Sequence, residues 1–366
     1  MKLDAKLIGI VGGVAGAVVA TGLTVAGVIW SQRRRVAGEA EQDPYADEPL
    51  GRLKPSRTRT VAADDGVPLS VEEVDPDDGG RPELTVILVH GFALSRKCWH
   101  FQRRDLAAST DPRVKLVLYD QRGHGKSGKP SAESCTIDQL GRDLDTVIRS
   151  VAPDGPLVLV GHSMGGMTIM ALADQHPELF GDRVRGVALI GTSAGEVARR
   201  GLPRPMLSRY NPVPRTVGEI AAWQPEVVEW VRQASNGLAG PVVRRLAFGD
   251  SSVPASLVRL MIRMLKVTPL TVLTSFLPTL TSHDRYAALT ALHHCEVSLI
   301  GGDHDHITPY EHTERLIAEL PDATVTRVVG AGHMVMLERH DVVTTELEEL
   351  LRRCVKNSQG LRRWRS

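Results

Sequence analysis

Short apolar runs recur along the chain from residue 58, each cut off by a few Gly, Asp, Pro or basic residues. Residues 58–63 and 69–74, separated by Asp64-Asp65-Gly66, predict an opening hairpin. Residues 84–89, 114–119, 156–160 and 184–190 are rich in Val, Ile and Leu, as expected of strands buried on both faces. Between them, 136–151 predicts a helix, and 167–173 predicts another that stops before Pro177. The pattern resumes with a strand over 296–300, a helix over 310–320, a strand over 323–329 and a last helix over 337–355. Strands alternating with helices predict an α/β fold with a mostly parallel sheet flanked by helices, whose chemistry gathers at the C-terminal ends of the strands.

From 194 to 288 the alternation stops. Helical patterns at 225–234 and 255–267, and a largely apolar run at 267–280, predict a helical insertion between two strands. Its place beside the strand ends makes it a lid, or cap, over a site there.

The N-terminus has a different pattern. Residues 7–30 carry no charge, with Lys2 and Lys6 before them and Arg33-Arg34-Arg35 after. As a helix rising about 1.5 Å per residue, this stretch would span about 36 Å, enough to cross a hydrocarbon core of about 30 Å. We expect a single-pass membrane anchor within 1–30, with Trp30 at an interface. A cleaved signal peptide ending near Ala15-Gly16-Ala17, and hence a secreted protein, is the alternative. Residues 31–57, mixed in charge and aperiodic, form a linker. The expected layout is therefore anchor (1–30), linker (31–57), first part of the core (58–193), cap (194–288), second part of the core (289–355) and a basic tail (356–366).

Composition narrows the function classes. With 42% hydrophobic and 24% charged residues and a net charge of +1, the chain has the balance of a globular enzyme and no excess of basic charge toward nucleic acid. Its 4 cysteines are widely spaced, without a C-x-x-C pair, and imply neither a zinc site nor a disulfide framework. Asp303-His304-Asp305-His306 lacks a further set of ligands, so we expect neither metal nor cofactor.

The candidate chemistry centres on Gly161-His162-Ser163-Met164-Gly165-Gly166, placed between a strand and a helix. That context turns a G-x-S-x-G match into a nucleophile elbow, with Ser163 on a tight turn and glycines where side chains would collide. A serine hydroxyl needs a base, and His333, in a glycine-bearing loop after the last strand, is the candidate among 13 histidines. Asp305 fits the spacing Gly302-x-x-Asp305-x-x-Thr308-Pro309 as the acid that orients His333, with Asp303 in reserve. The backbone N–H groups of Phe92 and Met164 are the expected oxyanion donors. His90 and His162 are read as structural, and Asp120, Arg122 and His124 as braces for the loops around the elbow.

Five motifs in order resemble the α/β-hydrolase superfamily: His90-Gly91-Phe92, Asp-x-Arg-Gly-His-Gly-x-Ser over 120–127, the elbow, 302–309 and Gly332-His333. The resemblance covers about 58–355 and implies the α/β-hydrolase fold with a cap, and a Ser163, Asp305, His333 triad. A serine at 163 sets the chain apart from relatives with an aspartate nucleophile. The leading expectation is a membrane-anchored serine hydrolase of carboxylic esters, acting on a small-molecule or lipid-like ester. A perhydrolase or C–C bond hydrolase with the same triad, and an inactive binding protein on this fold, are the alternatives.

Overall fold

The computed structural model describes residues 43–197 and 239–365. The expected anchor, most of the linker and the expected helix at 225–234 lie outside the described residues. Among the described residues, no single helix is long and apolar enough to cross a membrane. The described chain divides into two compact units. The small one comprises residues 43–48 with Pro254–Ser256, in which the Asp43 carboxylate accepts bonds from the Ser256 amide and hydroxyl. The large unit, Pro49–Val253 and Leu257–Ser366, holds the sheet and the chemistry.

In chain order the large unit places β1 (Arg57–Ala62), β2 (Pro68–Val74), β3 (Leu84–Val89), α1 (His100–Ala108), β4 (Val114–Tyr119), α2 (Ile137–Val151), β5 (Leu157–His162), α3 (Met164–Gln175) and β6 (Val184–Ile190). A segment inserted between β6 and the next strand contributes α4 (Ala239–Ala247), α5 (Ala255–Val267), α6 (Leu270–Ser282) and the short α7 (Leu289–Leu292). Then follow β7 (Glu296–Gly302), α8 (Tyr310–Glu319), β8 (Thr324–Val328), α9 (Val335–Glu338) and α10 (His340–Arg365).

The strands form one 8-stranded sheet in the order β1-β2-β4-β3-β5-β6-β7-β8. The β1–β2 and β2–β4 pairs are antiparallel, and the other pairs are parallel. All of β5 is buried and β3 nearly so, which explains why their sequences are continuous apolar runs rather than alternating ones. Around this sheet the helices pack by apolar stripes. In α2 the buried residues Ile137, Leu140, Leu144, Val147, Ile148 and Val151 recur at helical spacing, and the Thr136 side chain caps the first turn by accepting from the Gln139 amide. The α2 stripe faces α3, while α10 packs on α1, β6 and β7.

Two boundaries differ from the sequence reading. The expected terminal helix is broken at Arg339, so that α9 ends and α10 begins between Glu338 and His340. The second helix, α10, runs on to Arg365. The uncharged run at 267–280 is also broken, at Thr268-Pro269, where α5 gives way to α6 across a bend of 95°.

Buried polar groups brace the loops at the strand ends. Arg122 is fully buried and donates to both carboxylate oxygens of Asp143, also fully buried, at 2.6 Å, and to both oxygens of Asp65. Asp120 accepts from the Arg96 and Lys126 amides and pairs with the Arg96 guanidinium. A buried pair is costly to break, since the remaining ion stays desolvated. Arg122→Ala should therefore lower the unfolding free energy by about 3–5 kcal/mol in urea titration. The double change Arg122→Met, Asp143→Leu should recover most of that loss.

Candidate active site

The turn from β5 into α3 holds Ser163 at φ 52° and ψ −119°, a backbone region that side chains other than glycine rarely adopt. Packing maintains the turn. A Cβ on Gly165 would lie 2.1 Å from the Val89 carbonyl oxygen, and one on Gly161 would lie 2.6 Å from the Gly165 backbone, so only glycine fits at either place. The Ser163 amide donates to Ile190 at 3.0 Å, and the Ser163 carbonyl accepts from the Thr192 hydroxyl at 2.7 Å. Both bonds tie the elbow to the end of β6.

Ser163 and the two polar partners expected for it stand at the C-terminal ends of strands on one side of the sheet: Ser163 after β5, Asp305 after β7 and His333 after β8. His333 Nδ1 lies 2.8 Å from Asp305 Oδ2, and both side chains are buried. Asp305 Oδ1 accepts from the Ile307 and Thr308 amides at 2.8 Å each. Burial opposes ionisation of Asp305, but the adjacent His333 and these hydrogen bonds outweigh it and hold its pKa below the ordinary carboxylate value. Asp303, the reserve acid, is turned elsewhere: its carboxylate accepts from the Gly330 amide at 2.7 Å and faces Arg327.

Thr308 served in the sequence only to mark a spacing, yet its hydroxyl sits at the junction. Its Oγ1 lies 2.8 Å from Asp305 Oδ2, 2.9 Å from the Gly191 carbonyl and 3.2 Å from His333 Nδ1. With one proton to donate and oxygens able to accept, it binds the loops after β6, β7 and β8 to one another.

His162 forms the other link. Its Nε2 lies 2.9 Å from the His333 carbonyl, which assigns the N–H to that nitrogen, and its ring centre is 4.7 Å from that of His333. Burial, aided by His333, pushes the His162 pKa down to about 3, so the ring is neutral. Opposite it lies the loop after β3, where a Cβ on Gly91 would be 2.8 Å from His162 Nδ1 and 3.1 Å from Ser163 Cβ. That close approach brings the Gly91-Phe92 backbone beside the serine. Met164 is the first residue of α3, where an N–H has no intrahelical acceptor and meets developing negative charge favourably.

The remaining histidines of the motifs hold loops. His90 Nε2 accepts from the Gln121 amide at 2.9 Å, and His124 Nε2 accepts from the Ala93 amide at 3.1 Å. Burial lowers the pKa of both, that of His124 to about 4. Above the elbow, Met164, Met167, Val197, Val272, Phe276 and Leu280 form an apolar cluster with Phe92 packed against it. Among the described residues, no group of His, Cys, Asp and Glu side chains could hold a metal ion.

A serine held on a strained strand-to-helix turn, with a buried His–Asp pair at the ends of β8 and β7 of the same mostly parallel sheet, defines a hydrolase-type α/β protein. The model of the alpha/beta hydrolase fold family matches residues 85–340, and the chain belongs to that family. Protein phosphatase methylesterase 1 of Mus musculus is 27% identical over 174 residues, 44% of this chain and 45% of that protein, so the match spans less than half the relative's length. Two solved structures share the fold. A thermophilic esterase from Thermogutta terrifontis has a TM-score of 0.63 at 22% identity, covering 82% of this chain and 99% of that one. The enol-lactonase of Burkholderia xenovorans LB400 has a TM-score of 0.62 at 21% identity, covering 80% of this chain and 99% of the other.

The buried neutral histidines make stability depend on acid. Between the unfolded value of 6.5 and the folded value of about 4, the unfolded chain binds the His124 proton and the folded chain does not. The stabilisation is thus complete above pH 6.5 and is lost as pH falls toward 4. The unfolding free energy of His124→Asn, measured in urea from pH 7 down to 4.5, should decline less than that of the wild type, by about 2–3 kcal/mol over the range.

Proposed function

We propose that this protein is a serine hydrolase of carboxylic esters. The observation that carries the reading is the 2.8 Å bond between buried Asp305 and His333, linked through the His162 ring to the turn that holds Ser163 at φ 52°. In the proposed reaction, His333 accepts the Ser163 proton as Oγ attacks the ester carbonyl, and Asp305 holds the imidazole in one tautomer and stabilises the imidazolium. The tetrahedral oxyanion lies against the N–H groups of Phe92 and Met164. His333 then gives the proton to the departing alcohol. Water, deprotonated by the same imidazole, attacks the acyl-enzyme and frees the acid and Ser163.

Two features support esters with an apolar acyl group. The cluster above the elbow has no charged member, and three of its residues, Val272, Phe276 and Leu280, come from one face of α6 in the inserted segment. Met164 and Met167, unbranched and adaptable, can shift to admit a chain of several carbons. The inserted segment thus takes the part of a cap. The methylesterase among the relatives is in keeping with ester chemistry.

The test is turnover of p-nitrophenyl esters from acetate to decanoate by the purified full chain. Wild type should hydrolyse them with a preference for a medium chain, and Ser163→Ala should lose about 10³-fold or more of kcat. Turnover that survives unchanged in Ser163→Ala, or a folded wild type that leaves every ester intact, would overturn the proposal.

A further inference from the structure

Glu338 ends α9, five residues after His333, in a stretch that the sequence reading assigned to a helix without chemistry. The residue is buried, with an exposure of 9%. It is held by backbone donors from two separate segments. Oε2 accepts from the Gly332 amide at 2.8 Å and from the Gly249 amide at 3.1 Å, and Oε1 accepts from the Asp250 amide at 2.8 Å. Gly332 precedes His333, whereas Gly249 and Asp250 belong to the segment inserted between β6 and β7. On the other side of His333, the Met334 amide donates to the carbonyl of Ala247, the last residue of α4.

The histidine is therefore fixed to the inserted segment through both of its chain neighbours. The two backbones could not be closer. A Cβ on Gly332 would lie 2.4 Å from the Gly249 nitrogen, and one on Gly249 would lie 2.4 Å from the Gly330 carbonyl oxygen. Three backbone N–H groups converge on one side chain, and a buried acceptor left without its donors costs free energy. Arg339, just beyond, turns to the Asp250 carboxylate at 3.8 Å, adding a longer contact between the same two segments.

We infer that Glu338 is a positioning residue for His333: its carboxylate clamps the His333 loop to residues 247–250, so that the placement of the base and the seating of the cap are one event. The inference rests on the reading of His333 as the base. Displacing a reacting group by about 1 Å can cost about 100-fold in rate, so the clamp acts on the chemical step rather than on binding.

Glu338→Gln tests this, because glutamine keeps the shape but offers one acceptor oxygen, and its NH₂ must face a donor. Two readouts are taken on the full chain: amide hydrogen exchange, and p-nitrophenyl acetate kinetics. Peptides covering 247–250 and 330–334 should exchange faster together, by about 10-fold or more. At the same time kcat should fall about 10- to 100-fold with KM held within about twofold. Gly249→Ala, which presses the segments apart from the other side, should give the same pattern and decides the matter if Glu338→Gln does not fold. Faster exchange with an unchanged kcat would reduce Glu338 to a structural role and overturn the inference. So would loosening of one segment alone, or loss expressed in KM. A folded wild type with no ester turnover would overturn the hydrolase reading instead. The exchange data would still decide whether the clamp joins the two segments.

Discussion

Asp305 is a carboxylate removed from water, and it stays ionised because His333, Thr308 and two backbone amides surround it. The arrangement at the strand ends follows from that requirement. The loop after β7 must turn so that the Ile307 and Thr308 amides point inward. The loop after β8 must bring the imidazole to Oδ2, and the Gly191 carbonyl must come near enough to share the Thr308 hydroxyl. Each of these loops leaves a different one of three adjacent parallel strands, so their spacing is fixed by strand pairing rather than by the loops themselves. The sheet thus supplies a rigid base on which a buried, hydrogen-bonded Asp305–His333 pair can be assembled.

The elbow is governed by a different constraint, the absence of room. Ser163 occupies an unfavourable backbone region because Gly161 and Gly165 let the strand, the turn and the neighbouring β3 carbonyl pass within contact distance. The strain is balanced by bonds from Ser163 to Ile190 and Thr192, which make the serine part of the β6 end as much as of β5. His162 spans the two constructions. Its neutral ring lies between the elbow, the Gly91 loop and the His333 carbonyl, so that Ser163 and His333 share a wall.

Much of this was legible in the residues. Continuous apolar runs marked the parallel strands, since burial on both faces suppresses alternation, and the glycine spacing marked the elbow, since only glycine tolerates that crowding. The choice between Asp303 and Asp305 was less legible. Both lie in one short loop, and the amide pattern that turns Asp305 toward His333 and leaves Asp303 on Gly330 is a property of the folded turn. Thr308 was visible only as a spacing, because a hydroxyl shared among three loops has no local signature. Glu338 was hidden more deeply. In an acidic terminal helix nothing in the sequence distinguishes it, and two of its three partners are backbone amides 88 and 89 positions away. The break at Arg339 that aims it inward is likewise absent from the helical periodicity.

The central claim is that the fold makes Ser163 nucleophilic through His333. Reaction of the full chain with a fluorophosphonate probe, read by mass spectrometry of the modified peptide, tests it most directly. The account predicts a single adduct on Ser163 in the wild type, none in Ser163→Ala, and slow labelling in a folded His333→Ala. Labelling of Ser163 at the wild-type rate without His333, or a folded wild type that takes up no probe, would contradict it.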